Sequence, residues 1–199
     1  MRYDTIIIGG SYSGMAAALQ LVRARRKVLV IDAGQRRNRF ARYSHGYLSR
    51  DAEEAATIAR IARDQLMAYP DLFWIDGHVV SATGSRDDFA VVEENGSRHL
   101  ARRLLFAVGV RDTLPAIDGL AQRWGRSVFL CPYCHGFELD KGPIGVIAVG
   151  PLSLHQAQLL PEWGQVTFLL DGKLSLADDA AADLSARGVD VEHGRIRHL

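Results

Sequence analysis

The chain has 199 residues, of which 48% are hydrophobic, and its formal net charge is +1. This composition provides enough apolar side chains for a packed core, and the near-neutral charge gives no general field that would attract nucleic acid. No apolar run approaches the roughly 18 residues that a membrane-spanning helix needs.

The amino-terminal segment, Met1 to Gly10, makes a poor signal peptide because its apolar run is short and an acidic residue precedes it. We therefore expect a soluble, cytoplasmic protein with no membrane partner. A cluster of arginines at positions 36, 37, 39 and 42 is the only local feature that favours nucleic acid, and the neutral overall charge argues against that role.

The first half of the chain predicts a parallel α/β unit. A short β-branched run, Asp4–Ile8, ends at a glycine and predicts a buried strand. The pattern continues with a helix over Tyr12–Arg25 and a second buried strand over Lys27–Ile31. A further helix is predicted over Asp51–Tyr69 by its apolar spacing and an acidic first turn.

Four strand-like segments follow this second helix. Gly84 and the pair Asn95-Gly96 separate them, and Asn-Gly between two strand-like runs is a strong hairpin signal. We expect all four strands to form an antiparallel insert in the parallel unit. The segments are Leu72–Ile75, His78–Ala82, Phe89–Glu93 and Arg98–Phe106.

The second half predicts another, incomplete βαβ unit after a connector over Thr113–Gly119. The fold class is therefore α/β, with a Rossmann-like first unit that contains the antiparallel insert and a second unit of the nucleotide-binding type. The predicted elements of the second unit are the strand Ser127–Leu130, the strand Ile144–Val149, the helix Leu152–Trp163, the strand Gln165–Leu170, the helix Leu176–Arg187 and the strand Val189–Glu192.

The turn after the first strand, Gly-Gly-Ser-Tyr-Ser-Gly at residues 9–14, is close to the dinucleotide fingerprint. Ser11 replaces the middle glycine, but it still offers its N–H and adds a hydroxyl. Asp32 follows at the end of the second strand, where a carboxylate can accept hydrogen bonds from a ribose. Strand, turn, helix, strand and acid in this order predict a bound dinucleotide; the alternative is a tight turn without a ligand.

The only two cysteines of the chain, Cys131 and Cys134, are separated by two residues. At this spacing two thiols can close and reopen a small disulfide and so carry an electron pair. Pro132 suits the first position of a helix, whose start would favour a thiolate. We predict that one cysteine exchanges with a substrate, that the other faces a flavin, and that His135 is the acid and base.

Two alternatives remain for the cysteines. A zinc site needs four ligands, and the distant His193 and His198 would have to complete it because His135 is too close to add easily. Inert, buried cysteines are the other alternative. We expect no metal.

A second glycine turn is expected at residues 148–153, but it departs from the fingerprint. Ala148 and Ser153 replace the outer glycines, and Pro151 removes an N–H. The next strand leads to Asp171, which would repel the 2′-phosphate of NADP. NAD(P)H is therefore a possible second cofactor with a degenerate fingerprint.

Taken together, these motifs resemble the low-molecular-weight thioredoxin reductases, which are pyridine nucleotide-disulfide oxidoreductases. The pattern is that of the branch with Cys-Pro-Tyr-Cys-His-Gly, which includes dithiol oxidases of the gliotoxin and holomycin type. The resemblance covers nearly the whole chain. It is carried by Gly9–Gly14, Ile31–Gly34, Arg37–Arg39, His45-Gly46, Ala107–Gly109 and Cys131–Gly136.

The resemblance implies FAD on the first unit. Its pyrophosphate would lie on residues 9–14 and its ribose on Asp32, with Arg37 and Asn38 near the adenosine, His45 near the flavin ring, and Gly109 on the closing strand of the unit. Residues 1–115 would be the amino-terminal part of an FAD-binding domain, and residues 116–199 an incomplete NAD(P)-type domain with the cysteine pair. The implied cofactor-binding residues are Gly9, Gly10, Ser11, Tyr12, Ser13, Gly14, Asp32, Ala33, Arg37, Asn38, His45, Gly46, Val80, Ala107, Val108 and Gly109.

Members of this family continue for roughly another half of a domain. We therefore expect a fragment, a shortened form, or a chain that another chain completes. The predicted function is FAD-dependent thiol–disulfide exchange by a homodimer. NAD(P)H or O₂ would be one partner, and a thioredoxin-like protein or a small dithiol or disulfide would be the other. The alternative is a non-catalytic FAD-binding or regulatory homologue.

Overall fold

The computed structural model describes residues 1–199. The chain divides into two compact units, the first comprising residues 1–43 and 52–112 and the second residues 44–51 and 113–199. None of its helices has both the length and the apolar character needed to cross a membrane.

The strands are β1 (Arg2–Ile8), β2 (Val28–Asp32), β3 (Tyr43–Ser44), β4 (Glu53–Glu54), β5 (Leu72–Asp76), β6 (Val79–Ser85), β7 (Asp88–Glu93), β8 (Arg98–Phe106), β9 (Lys141–Ile147), β10 (Gly164–Leu169) and β11 (Asp190–Glu192). The helices are α1 (Tyr12–Arg23), α2 (Ala55–Met67), α3 (Leu120–Arg123), α4 (Pro132–His135), α5 (Leu152–Leu159) and α6 (Asp178–Ala186). Three short 3₁₀ helices cover Arg37–Phe40, Phe137–Leu139 and Leu160–Glu162.

The first unit is built on a six-stranded sheet with the order β5-β2-β1-β8-β7-β6. Strands β5, β2, β1 and β8 pair in parallel. Strand β7 pairs antiparallel with β8, and β6 pairs antiparallel with β7. The predicted fold class is confirmed: a Rossmann-like unit with an antiparallel addition, followed by a second parallel unit.

The residues of β1 explain why its apolar run is continuous rather than alternating. Ile7 faces the core formed with α1 and α2, where it packs among Met15 and Val30. Its neighbours Ile6 and Ile8 face the core on the other side of the sheet. A parallel strand that is buried on both faces needs apolar side chains at every position.

The extent of the predicted antiparallel insert was wrong. The strand at Leu72, β5, pairs in parallel with β2, so that Leu72 lies opposite Val28. The helix α2 forms a crossover between β2 and β5, and such a crossover returns the chain in the parallel direction. Gly84 does not separate strands; it lies within β6, opposite Phe89, and the turn follows at residues 86–87.

The hairpin predicted at Asn95-Gly96 is confirmed by the antiparallel pairing of β7 with β8. Gly96 has a φ of +85°, which favours glycine, and the Ser97 N–H donates to Asn95 Oδ1 at 2.8 Å. By contrast, α2 begins at Ala55 rather than at Asp51. Ala52 has a φ of +59°, and Glu53 and Glu54 form the short strand β4 before the helix.

The second unit contains a three-stranded parallel sheet with the order β11-β10-β9. Its core centres on Phe168 of β10, which packs with Ala157 of α5 and Leu184 of α6. The strand predicted over Ser127–Leu130 was wrong. The backbone there is held in a local turn, with a single bridge between Trp124 and Val128, and so it does not join the sheet.

Candidate functional site

The turn between β1 and α1 requires glycine at both of its ends. Gly9 has a φ of +103°, and a side chain there would overlap the backbone carbonyl of Ala107. A side chain at Gly14 would overlap the carbonyl oxygen of Gly9. The strand and the helix therefore approach more closely than any larger residue would allow, as a dinucleotide-binding turn requires.

This turn presents unpartnered backbone donors. The first hydrogen bond of α1 runs from the Met15 N–H to the Ser11 carbonyl, and the Ser11 side chain does not cap the helix. The N–H groups of residues 11–14 have no acceptor within the chain. Four free donors at the positive end of a twelve-residue helix fit the pyrophosphate of a dinucleotide.

Asp32 links this turn to the end of β2. Its Oδ1 accepts the Gly10 N–H at 2.9 Å, and its Oδ2 has no hydrogen-bond partner in the chain. Gly10 lies against the ring of Trp74, where a side chain would overlap the indole. One carboxylate oxygen thus fixes the turn, and the other can accept a hydrogen bond from a ribose hydroxyl.

Of the predicted residues beyond the turn, Asn38 contacts Tyr12 of the turn, and Arg37 is engaged elsewhere. Asn38 Nδ2 donates to the Tyr12 hydroxyl at 3.1 Å, and that hydroxyl donates to the Ala55 carbonyl at 3.2 Å. Arg37 makes a two-pronged ion pair with Asp112, with Nε donating at 2.8 Å. The hydrogen bond from Arg37 lowers the pKa of Asp112 below its ordinary value.

The remaining predicted residues of the first unit fall in two places. Ala107 lies beside the turn, and its N–H donates to the Ile8 carbonyl at 2.8 Å. Gly109 was expected on the closing strand, but β8 ends at Phe106 and residues 107–109 follow it. The side chains of Ala33, Val108 and Val80 are exposed; Val80 lies on the edge strand β6.

In the second unit, Cys131 and Cys134 form a disulfide, with their Cα atoms 5.3 Å apart. Pro132 is the first residue of α4, as predicted, and Cys131 occupies the cap position before it. The helix has only four residues, so few peptide dipoles are aligned toward the sulfur atoms. A nearby proton acceptor is therefore needed to form a thiolate at neutral pH.

The backbone of this disulfide turn is fixed by packing. A side chain at Gly136 would overlap the indole of Trp163, and the Gly136 N–H donates to the Pro132 carbonyl at 2.6 Å. The ring of Tyr133 meets Trp163 edge-on, with centroids 5.2 Å apart. Glycine after the histidine thus lets α4 lie directly on the tryptophan.

His135, next to Cys134, is the candidate acceptor. Its ring packs against Phe129 with centroids 4.9 Å apart. Burial lowers the pKa of His135 below 6.5, repulsion from His45 lowers it further, and the Glu138 carboxylate opposes both effects. The lowered pKa favours the neutral imidazole, which can take a proton from a thiol.

His45 and Gly46, predicted to lie near a flavin, belong to the second unit. His45 Nδ1 lies 3.2 Å from Glu138 Oε1 and 3.9 Å from Asp51 Oδ1. Glu138 was missed by the sequence reasoning. No sequence signal could have found it, because its partner His45 is far away in the chain and α4 ends before Glu138.

The second glycine turn, between β9 and α5, is filled by its own hydrogen bonds. The Val149 N–H donates to Ser153 Oγ at 3.0 Å, and the Ser153 N–H donates to the Gly150 carbonyl at 3.0 Å. The Leu154 N–H donates to the Pro151 carbonyl, and proline itself has no N–H. Few donors are left there for a pyrophosphate.

Asp171 follows β10 at the place where a ribose would be recognised. Its Oδ1 accepts the Ile196 N–H at 2.9 Å, and its Oδ2 pairs with Lys173 Nζ at 2.9 Å. The hydrogen bond from Lys173 and that from Ile196 lower the pKa of Asp171 below 3.8. Both carboxylate oxygens are already engaged within the chain.

The structure contains no group of three or more His, Cys, Asp or Glu side chains that could hold a metal ion. The two sulfur atoms that a zinc site would need are joined to each other.

The model of one family, pyridine nucleotide-disulphide oxidoreductase, matches residues 3–195. Among curated proteins, the chain is 35% identical over 185 residues to "Thioredoxin reductase tcpT" of Claviceps purpurea, covering 88% of this chain and 58% of the relative. The chain spans between 38% and 58% of the lengths of three curated relatives that it matches.

Solved structures match the whole chain. An oxidoreductase from Agrobacterium tumefaciens is 52% identical, with a TM-score of 0.97, over 100% of this chain and 67% of that one. A putative thioredoxin reductase TrxB from Bacillus anthracis is 30% identical, with a TM-score of 0.94, over 99% of this chain and 67% of that one.

Proposed function

The chain belongs to the pyridine nucleotide-disulphide oxidoreductase family and is thioredoxin reductase-like, and from this we propose that it is an FAD-dependent thiol–disulfide oxidoreductase. Electron pairs would pass between FAD and a dithiol or disulfide substrate through Cys131 and Cys134. The observation that carries this proposal is the closed disulfide in a turn packed on Trp163, with His135 as the residue next to Cys134.

The free donors and the free acceptor of the first unit support the proposed FAD site. The free N–H groups of residues 11–14 would hold the pyrophosphate, and the free oxygen of Asp32 would accept a ribose hydroxyl. Tyr12 and Asn38 would line the same side of the unit through their shared hydrogen bond. When bound, FAD supplies an acceptor and donor of electron pairs.

The residues of the second unit account for the exchange step. A substrate thiol gives its proton to His135, and the thiolate attacks one sulfur of the disulfide. The S–S bond breaks, a mixed disulfide forms, and one cysteine leaves as a thiolate. The second substrate thiolate attacks the mixed disulfide, which releases the substrate as a disulfide and leaves Cys131 and Cys134 reduced by two electrons.

We propose that electrons enter from the dithiol and leave to O₂, so that a dithiol and O₂ give a disulfide and H₂O₂. Two observations support this direction. In the turn at Val149–Ser153, backbone N–H groups donate within the turn, and both carboxylate oxygens of Asp171 are bonded within the chain, so neither is free to bind NAD(P)H. The competing direction, reduction of a disulfide by NAD(P)H, is favoured by the names of relatives such as thioredoxin reductase tcpT.

The absorption spectrum of the purified protein and oxygen uptake with a small dithiol test this function. We expect flavin bands, and oxygen uptake that stops in Cys131→Ser and in Cys134→Ser. Both variants should keep the flavin bands, because the sulfur atoms belong to a different unit from the dinucleotide turn. A colourless protein that does not take up added FAD, or full uptake of oxygen by either variant, would overturn the proposal.

The substrate is proposed only as a dithiol or disulfide, either on a thioredoxin-like protein or on a small molecule. Comparing the turnover of a reduced thioredoxin with that of a small dithiol separates the two. The homodimer and the cytoplasmic location stay predictions.

A further inference from the structure

The segment at residues 44–51 lies beside the disulfide turn. A side chain on Gly46 would begin about 4.0 Å from the carbonyl oxygen of Tyr133. His45 Nδ1 lies 3.2 Å from Glu138 Oε1, in the 3₁₀ helix that follows α4. The side chain of His45 is 20% exposed and that of Glu138 is 41% exposed, so the pair is partly shielded from water.

Four titratable groups lie in this part of the second unit, with His45 close to both carboxylates and His135 under the electrostatic influence of His45 and Glu138. Segment 44–51 contributes His45 and Asp51, and Asp51 Oδ1 lies 3.9 Å from His45 Nδ1. That same oxygen accepts the Gly46 N–H at 2.7 Å, which fixes the loop. The α4 region contributes His135 and Glu138.

The exchange chemistry gives a second proton acceptor a role. A substrate dithiol gives up two protons as its two electrons pass to the cysteine pair, and one neutral imidazole can take only one proton at a time. A second imidazole nearby could take the other, but two imidazolium rings repel each other. A carboxylate that faces both rings reduces this repulsion.

We propose that His45 is a second proton acceptor beside His135, and that Glu138 is the positioning residue that orients His45 and compensates the charge of the two protonated rings. This inference rests on the proposed thiol–disulfide function and adds residues to the same site. The two substrate protons are then held by His45 and His135 until the released cysteine thiolates or water take them.

The test measures the reduction of the Cys131–Cys134 disulfide by dithiothreitol, followed by acid quenching, alkylation and mass spectrometry. This readout requires no flavin turnover. We expect Glu138→Gln to slow the reaction about tenfold at pH 6. The loss should nearly vanish at pH 9, above the ordinary thiol pKa of about 8.5, because the attacking thiol then ionises without help. His45→Asn should show the same pH-dependent loss, and Glu138→Asp should recover part of the rate.

Glu162→Gln is the matched control, because it removes the same charge from an exposed position in the same unit. Its rate should equal that of the wild type. A wild-type disulfide that dithiothreitol does not reduce at any pH would overturn the proposed function. A normal wild-type rate with no loss in Glu138→Gln and His45→Asn, or a loss of equal size at pH 6 and pH 9, would overturn the role of Glu138 and His45 alone.

Discussion

The two glycine turns of this chain have the same place in their units, between the first parallel strand and the following helix, but they offer different groups to a ligand. The turn at residues 9–14 leaves four N–H groups free and one oxygen of Asp32 unpartnered. In the turn at residues 149–153, Ser153 accepts the Val149 N–H and Pro151 has no N–H to offer. Both carboxylate oxygens of Asp171 are bonded within the chain. Because free donors and acceptors, rather than the fold, decide nucleotide binding, we expect the first turn to bind a nucleotide and the second not to.

The largest difference between the turns should appear when alanine replaces glycine. Gly14→Ala places a side chain on the Gly9 carbonyl, whereas Gly150 has open space around it and an ordinary φ. We expect Gly14→Ala to lower the free energy of unfolding by about 3 kcal/mol and to abolish FAD binding. Gly150→Ala should change the unfolding free energy by less than about 0.5 kcal/mol. Denaturant unfolding measures the free energy of unfolding, and the flavin content of the purified variants measures FAD binding. Equal losses in Gly14→Ala and Gly150→Ala would contradict the proposed difference between the two turns.

The acids that follow the two turns should differ in their effect on FAD. Asp32→Asn keeps an oxygen for the Gly10 N–H but removes the charge that strengthens a hydrogen bond from a ribose. We expect FAD affinity to fall about tenfold, since a charge-assisted hydrogen bond contributes roughly 1.5–3 kcal/mol. Asp171→Asn is the control and should leave the affinity unchanged in a fluorescence titration. An unchanged affinity in Asp32→Asn would show that the ribose is bound elsewhere.

A smaller loss of stability is expected when the hydrogen bond within the second turn is removed. Ser153→Ala removes the acceptor of the Val149 N–H, which should cost about 1 kcal/mol in unfolding free energy. It should not create affinity for NADPH, because Pro151 still lacks an N–H and Asp171 is still engaged. Calorimetric titration with NADPH checks the second part. Micromolar binding in this variant would mean that Ser153 alone closes the turn.

The smallest expected effect is a loss of stability at low pH that depends on Asp171. The pKa of Asp171 is lowered below 3.8 in the folded chain, so its stabilising contribution is present above the unfolded value and is lost as the pH falls through the folded one. We expect the wild type to lose stability below about pH 4 by more than Asp171→Asn does, since asparagine does not titrate. Thermal unfolding at pH 3 and pH 6 measures the difference, and parallel losses in both proteins would contradict the assignment.

The sequence predicted correctly those features of the fold and of the candidate site that are set by residues close together in the chain. The order of β1, the glycine turn, α1, β2 and Asp32 was predicted correctly, because a βα turn and the acid after the next strand are set within about thirty residues. The same holds for Pro132 at the start of α4 and for the disulfide of Cys131 and Cys134, whose partners are three residues apart.

The features that the sequence did not predict depend on residues far apart in the chain. The direction of β5 depends on its partner β2 across the helix α2, and strand composition does not distinguish parallel from antiparallel neighbours in so short a run. The contact between His45 and Glu138 joins positions far apart in the chain, and that of Asp171 with Ile196 spans 25 residues. Neither contact has a sequence motif that would predict it.

The most direct test of the account is the response of the FAD-loaded protein to two reductants without oxygen. In an anaerobic stopped-flow experiment, a dithiol should bleach the flavin absorption in the wild type and not in Cys131→Ser or Cys134→Ser, and NADPH should leave the flavin oxidised. Bleaching by NADPH at a rate comparable to that of the dithiol would contradict the account, because the second turn would then bind a nucleotide despite its engaged donors.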